Sequence, residues 1–268
     1  MNQPLAYINP NAKIGSNVTV DPFTMIHDDV EIGEGTWVGS NVTIMPGARI
    51  GKNCRIFPGA VISAIPQDLK FGGEKTTAEI GDNCTLREFV TFNRVTKASG
   101  KTILGKNCLL MAYAHVAHDC IIGDNVILAN SVNLAGHVEI EQYVILEGMA
   151  AVQQFVRIGE HAFITGGSLV RKNVPPFVKA AREPLAYAGI NAVGLRRRKF
   201  SDEVIRNIED TYRILYVREN NVSRAVGMIQ REIPASAERD KIIDFIINSP
   251  KGIMKGYGQT EAEEEQVS

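Results

Sequence analysis

The sequence predicts a mainly β chain: a parallel β-solenoid of hexapeptide repeats, followed by a small α-helical C-terminal domain. Three observations predict it. An apolar residue returns every six positions from Ile8 to Val170. A small side chain stands two residues before most of those positions, as at Ala48, Cys54, Ala60, Ala114 and Val126. After Ser201 the apolar spacing changes to that of helices, as in Val204, Ile205, Ile208, Tyr212 and Leu215.

The first column has 28 positions and three misses, Asp68, Glu74 and Ala98. A period of six fits no helix, whose apolar residues recur at three and four. It fits a coil of three short strands, with the branched residue pointing inward. Glycine follows the apolar residue at Gly15, Gly33, Gly51, Gly105, Gly123 and Gly159. These positions differ by multiples of eighteen, so one coil is three hexapeptides. No coil buries its face alone, and stacking about nine of them builds the core.

The solenoid is expected over 1–175, with excursions near 63–79 and 93–103 that re-enter the same phase. Loops thrown from a rigid scaffold are favoured places for function. Val174-Pro175-Pro176 punctuates the repeat. A connector spans 176–200 and an α-helical domain 201–255, opened by Ser201-Asp202-Glu203 as an N-cap with acids in the first turn. Two more amphipathic segments lie near 223–233 and 236–247. The acidic end, 256–268, is expected to fray.

Net charge is −1, from 29 basic and 30 acidic residues, which argues against a general grip on nucleic acid. No apolar run approaches the ~18 residues of a membrane span. Met1-Asn2-Gln3-Pro4 begins no signal peptide, so the expected location is cytoplasmic. Cys54, Cys84, Cys108 and Cys120 form no CxxC pair and fall in the small-residue column, so they read as small buried hydrophobes.

His27 and His161 stand apart and are expected at turns or on the surface. His115, His118 and His137 differ. Eighteen-residue stacking sets His118 near Gly136 and Gln154, and Asp119 near His137. His118 as a base, Asp119 beside it and the Gly136 N–H are the parts of acyl transfer: proton acceptor, tautomer holder and oxyanion donor. The same spacing is compatible with two further arrangements. A tight repeat stacks any residues eighteen apart, with no chemistry implied. Alternatively His115, His118 and His137 could hold zinc, if loops bent them to one point.

The chain resembles the UDP-N-acetylglucosamine acyltransferases of the hexapeptide-repeat family. The resemblance runs from about residue 1 to 255. It rests on Ile65-Pro66-Gln67-Asp68-Leu69-Lys70, His115-Val-Ala-His-Asp-Cys120, Leu134-Ala-Gly-His-Val138, Val174-Pro175-Pro176 and Gly194-Leu195-Arg196-Arg197-Arg198. It implies a left-handed parallel β-helix and a homotrimer with sites between subunits. It implies transfer of a 3-hydroxyacyl chain from acyl carrier protein to the glucosamine 3-hydroxyl, the first step of lipid A biosynthesis. By the resemblance His118 is the general base, Asp119 its partner, and Gly136 the oxyanion donor. Gln67, Asp68, Lys70, His115 and His137 meet the sugar and diphosphate. Gln154, Asn191, Arg197 and Arg198 meet the nucleotide or the phosphopantetheine arm, and Gly166 stands where acyl length is limited. No metal and no cofactor is implied beyond the phosphopantetheine of the carrier. The chain departs from the common pattern at Asn93, Gln153 and Val193, where many members carry histidine, histidine and an acid.

The run Arg196-Arg197-Arg198-Lys199 reads either as a solvated helix start or as a grip on phosphates or an acidic carrier. Competing functions are a hexapeptide acyltransferase with another acceptor, such as a 3-amino sugar or a later N-acylation; a trimeric metal-dependent hydratase; and a purely structural solenoid.

Overall fold

The computed structural model describes residues 5–97, 100–219 and 221–256. Three parallel sheets form the faces of a prism. The first holds nine strands, from Tyr7–Ile8 and Met25–Ile26 to Leu169–Val170. The second holds eight, from Lys13–Ile14 to Arg157–Ile158. The third runs from Thr19–Val20 to Phe163–Ile164 and then continues into the connector. The parallel coil of hexapeptides fits the left-handed β-helix that the resemblance implies.

Each strand is two residues long in most coils, one residue outward and one inward. Ile26, Ile44, Ile62, Phe92, Val116 and Leu134 stack inside the first sheet with essentially no exposure. Each such side chain contributes about 1.5–3 kcal/mol by leaving water. The backbone approaches closely where glycine recurs: a Cβ on Gly33 would lie 2.6 Å from the Gly51 carbonyl carbon.

Each plain coil turns three corners, and at most of them the corner residue adopts a left-handed backbone whether or not it is glycine. Asp119 has φ 61°, His137 59°, Tyr143 60° and His161 59°. Such a residue costs about 1–2 kcal/mol outside glycine, least for Asn, Asp and His. Stacked ladder bonds such as His137 N–H to the His118 carbonyl, 3.0 Å, hold it there.

Register gives the excursions their size. Paired residues are eighteen apart in plain coils, as Ile26 with Ile44. They are thirty apart across the first excursion, Ile50 with Ile80, and twenty-four across the second, Ile80 with Leu104. The excursions leave after strands Val61–Ala64 and Thr91–Asn93. Both strands belong to the first sheet, so both loops emerge at the corner between the first and second sheets. Within the second, residues 98 and 99 lie outside the described residues.

The connector is not simple coil. Val178–Ala181 extends the third sheet, Ala186–Ile190 pairs antiparallel to it, and Lys255–Gly256 returns to pair with Ala186–Ile190. Helix α1 spans Ala192–Arg197, α2 Asp202–Arg213, α3 Val222–Glu232 and α4 Ala237–Ile247; a π-helical turn, Ile214–Arg218, continues α2. The Ser201 hydroxyl accepts from Val204 N–H at 3.3 Å, as the N-cap pattern predicts. The buried Tyr212 hydroxyl donates to the Pro176 carbonyl, and Lys241 of α4 donates to the buried Glu160 at 2.7 Å. These bonds seat the helices on the end of the solenoid. Residues 257–268 of the expected tail lie outside the described residues.

All four cysteines are buried, and none is joined to another by a disulfide. Each thiol donates to a backbone carbonyl, Cys120 to Ala135 at 3.2 Å, and burial pushes the Cys120 pKa up to about 12. They are buried residues of the core.

Candidate active site

The corner between the first and second sheets gathers His118, Asp119, Gly136, His137, Gln154 and Phe155 on successive coils. Both excursions start there as well. His118 and Asp119 are buried, His118 being 7% exposed. His118 Nδ1 and Asp119 Oδ2 are 2.8 Å apart. A carboxylate at this position only accepts, so Nδ1 carries the proton and Nε2 presents its lone pair. Asp119 Oδ2 also accepts from Thr96 N–H at 3.1 Å and Thr96 Oγ1–H at 2.9 Å. The Asp119 N–H donates to Thr102 Oγ1 at 3.0 Å.

Gly136 lies directly under the imidazole. A Cβ there would meet His118 Cε1 at 2.5 Å and Nε2 at 2.7 Å. Its carbonyl accepts from Phe155 N–H at 3.2 Å, while its own N–H has no acceptor among the described residues. An unclaimed N–H beside a buried base is what an oxyanion requires.

Asp68, on the first excursion, faces the His118 ring: its Oδ2 is 3.8 Å from His118 Nε2. Asp68 Oδ1 accepts from Lys70 N–H at 2.9 Å, which shapes the loop. The Gln67 and Lys70 side chains are exposed beside it. His137 stacks on Phe155 with centroids 4.7 Å apart, and its Nε2 lies 3.9 Å from Asp119 Oδ2. Lys251, after α4, sits over Phe155 at 4.4 Å, and a cleft of about 350 Å³ runs between His137 and Pro250-Lys251. His115 points outward from its strand, with Nδ1 2.7 Å from Thr91 Oγ1. Burial, and then the charge of His118, hold its pKa below the ordinary histidine value.

The three-histidine grouping does not form. His118, Asp119 and His137 offer ligand atoms within 4.8 Å of one another, and His115 is outside the set because its strand turns it toward Thr91. Asp119 Oδ2 is already occupied by donors from His118 and Thr96. His118 Nδ1, Thr96 N–H and Thr96 Oγ1–H thus form a hydrogen-bonded relay on that one carboxylate oxygen.

The remaining candidates stand on other corners. Between the second and third sheets, His161 is sandwiched by Tyr143 at 4.9 Å and Phe177 at 5.6 Å. It stands at a turn, as expected, but is only 5% exposed, so the surface alternative is corrected; stacking with residues near eighteen away buries it. Burial and the adjacent Arg198 charge lower its pKa to about 4. Arg198 lies over Tyr143 at 5.1 Å and donates to its carbonyl at 3.1 Å. With Arg197, Lys199 and Phe200 these residues line a cleft of about 400 Å³. The basic run sits at the end of α1 rather than at a helix start, where cations complement the helix dipole. Asn191 is the α1 N-cap: its Oδ1 accepts from Gly194 N–H at 3.1 Å and its Nδ2 donates to the His161 carbonyl at 2.9 Å. Gly166 lies exposed on the third corner, where a Cβ would meet the Gly148 carbonyl oxygen at 3.1 Å.

Known proteins share this architecture over nearly the whole chain. The chain is 50% identical to the UDP-N-acetylglucosamine acyltransferase of Bacteroides fragilis over 95% of its own length and 100% of that chain, with a TM-score of 0.94. It belongs to the UDP-N-acetylglucosamine O-acyltransferase family. The family's C-terminal domain profile, "Udp N-acetylglucosamine O-acyltransferase; Domain 2", matches 173–254, and the bacterial transferase hexapeptide profile matches 29–64 and 101–136. The acyl-carrier-protein-dependent UDP-N-acetylglucosamine O-acyltransferase of Thiobacillus denitrificans is 44% identical over 253 residues, 94% of this chain and 98% of the relative. The Francisella novicida UDP-N-acetylglucosamine acyltransferase matches with TM-score 0.92 at 37% identity, over 97% of this chain and 96% of that one. Among the described residues, no helix is long and apolar enough to cross a membrane.

Thr96, Thr102, Thr91 and Phe155 are site residues that sequence reasoning missed. Phe155 is eighteen residues beyond His137, so the stacking rule carried a signal for it; Thr96 lies inside an excursion, where register gives none.

Proposed function

We propose that this acyltransferase moves a 3-hydroxyacyl chain from acyl carrier protein to the 3-hydroxyl of UDP-N-acetylglucosamine, with His118 as general base. One observation carries the assignment: a buried His118–Asp119 pair stands over a glycine whose N–H is unclaimed among the described residues. His118 Nε2 takes the proton from the sugar hydroxyl as its oxygen attacks the thioester carbonyl carbon. Negative charge gathers on the carbonyl oxygen, and the Gly136 N–H stabilises it. The C–S bond then breaks, and the imidazolium returns its proton to the phosphopantetheine sulfur. Asp119 stabilises the imidazolium and fixes its tautomer. Asp68 and Lys70 border the acceptor, and His115 and His137 the sugar and diphosphate.

The active unit is a homotrimer. Within one chain, the His118, Arg198 and Gly166 groups point from three different corners of the prism. A ligand that touches more than one group needs a neighbouring copy, and a closed ring of three supplies it. A contact among Gln154, Asn191, Arg197, Arg198 and the nucleotide or phosphopantetheine is then made across subunits. The test is subunit mixing. His118→Ala and Arg197→Ala proteins, each weakly active, are unfolded together and refolded. Recovery toward about a quarter of wild-type transfer is expected for random trimers. No recovery, from mixtures that are trimeric by mass, would contradict the shared site.

A further inference from the structure

We infer that Thr96 is a positioning residue for the base, the outer member of a Thr96–Asp119–His118 relay; this rests on the assignment of His118 as base. Both Thr96 donors, N–H and Oγ1–H, converge on Asp119 Oδ2, the same oxygen that receives His118 Nδ1–H. That oxygen's place sets the plane and tilt of the imidazole over Gly136.

Thr96 can fix it because its own segment is fixed. Asn93 Nδ2 donates to the Ile65 carbonyl at 2.9 Å. Arg94 donates to the Pro46 carbonyl at 2.9 Å and lies over Phe71 at 5.6 Å. Thr76 Oγ1 donates to the Val95 carbonyl at 2.9 Å. Ile65, Phe71 and Thr76 belong to the first excursion, which carries Asp68 and Lys70. The second excursion therefore ties the loop that borders the acceptor to the carboxylate that orients the base. Thr96 is 8% exposed and Asp119 3%, so the bonds between them compete with little water.

Among the described residues, His118 and, at 3.9 Å, His137 are titratable groups that face Asp119; Asp68 faces His118 from the loop at 3.8 Å. Removing the hydroxyl leaves the carboxylate with one donor fewer and a stronger pull on Nδ1–H. The imidazolium gains stability, and the acid limb of kcat/KM moves to higher pH.

The test is a double-mutant cycle on the full-length enzyme, with Thr96→Val and Thr96→Ala each made in wild-type and His118→Ala backgrounds. Two variants are used so that a folding failure of one leaves the other. Loss of a hydrogen bond to a charged group predicts about a tenfold fall in kcat, an unchanged KM for the sugar nucleotide and an acid limb shifted up in pH. Thr96→Ser restores all three. In the His118→Ala background the Thr96 substitution adds no further loss. Wild-type kcat and pH limb in Thr96→Val, or a tenfold loss that persists in full without His118, would overturn the relay. A His118→Ala enzyme with wild-type activity overturns the base assignment itself, and the single variant shows that independently.

Discussion

Replacing Gly136 by alanine adds one carbon and tests how closely the base is placed. The added Cβ would sit 2.5 Å from His118 Cε1, 2.7 Å from Nε2 and 3.1 Å from Nδ1. Ordinary carbon contacts lie near 3.5–4.0 Å, so the ring must retreat by about 1 Å. His118 cannot retreat that far and keep its 2.8 Å bond to Asp119, whose carboxylate Thr96 holds in place. Misplacing a catalytic group by about 1 Å costs on the order of 100-fold. Gly136 is not among the glycines with positive φ, so alanine meets no backbone penalty. Alanine also restricts the unfolded chain, worth about 0.4–1 kcal/mol in favour of folding. Gly136→Ala is therefore expected to stay folded with a net stability loss of about 1–3 kcal/mol, from the displaced ring and its weakened bond to Asp119, while kcat for acyl transfer falls about 100-fold. Steady-state transfer and urea unfolding on one preparation decide it. Wild-type kcat in the folded variant would refute the placement of His118 over Gly136.

Asp119→Asn removes the charge that stabilises the imidazolium and can present an amide N–H to Nδ1. By analogy with other histidine–carboxylate pairs, kcat is expected to fall about 10³–10⁴-fold with the fold retained; a loss under tenfold would show that Asp119 does not set the tautomer. His161 supplies a pH test. Its folded pKa of about 4 lies below the ordinary 6.5, so between those values the unfolded chain takes up a proton and the folded chain does not. Stability from this group is present above pH 6.5 and is lost as pH falls toward 4, roughly 3 kcal/mol over the whole window. Urea midpoints at pH 7 and pH 4.5 should differ less in His161→Phe than in wild type, and equal differences would refute the effect. Lys241→Met breaks the 2.7 Å ion pair to the buried Glu160 and leaves Gln142 as a remaining donor. A loss of about 2 kcal/mol is expected, with faster hydrogen exchange in α4 before the solenoid; unchanged exchange in α4 would count against this contact as its anchor.

The period of six made the prism legible because the inward residue must be apolar in every coil. The same rule placed His118 near Gly136 and Asp119 near His137. The left-handed corners were not legible: Asp119 and His137 carry no glycine to announce a positive φ, since stacked ladder bonds rather than residue type impose it. Thr96 was hidden because an excursion has no register to count along. His161 does stand at a turn, as expected, but its burial was not foreseen because it was considered alone, although Tyr143 stands eighteen residues before it. The basic run after Gly194 was visible, but its place on a different corner from His118 depends on how the connector folds back over the third sheet. That separation of corners is what makes a neighbouring subunit necessary to the proposed site.

The most direct measurement is acyl transfer by purified enzyme from 3-hydroxyacyl carrier proteins of several chain lengths to UDP-N-acetylglucosamine, beside folded His118→Ala. Ester formation at the sugar 3-hydroxyl by wild type, falling by about 10²–10⁴-fold in His118→Ala, is the predicted result. No transfer to this acceptor with any chain length, or undiminished transfer without His118, would contradict it.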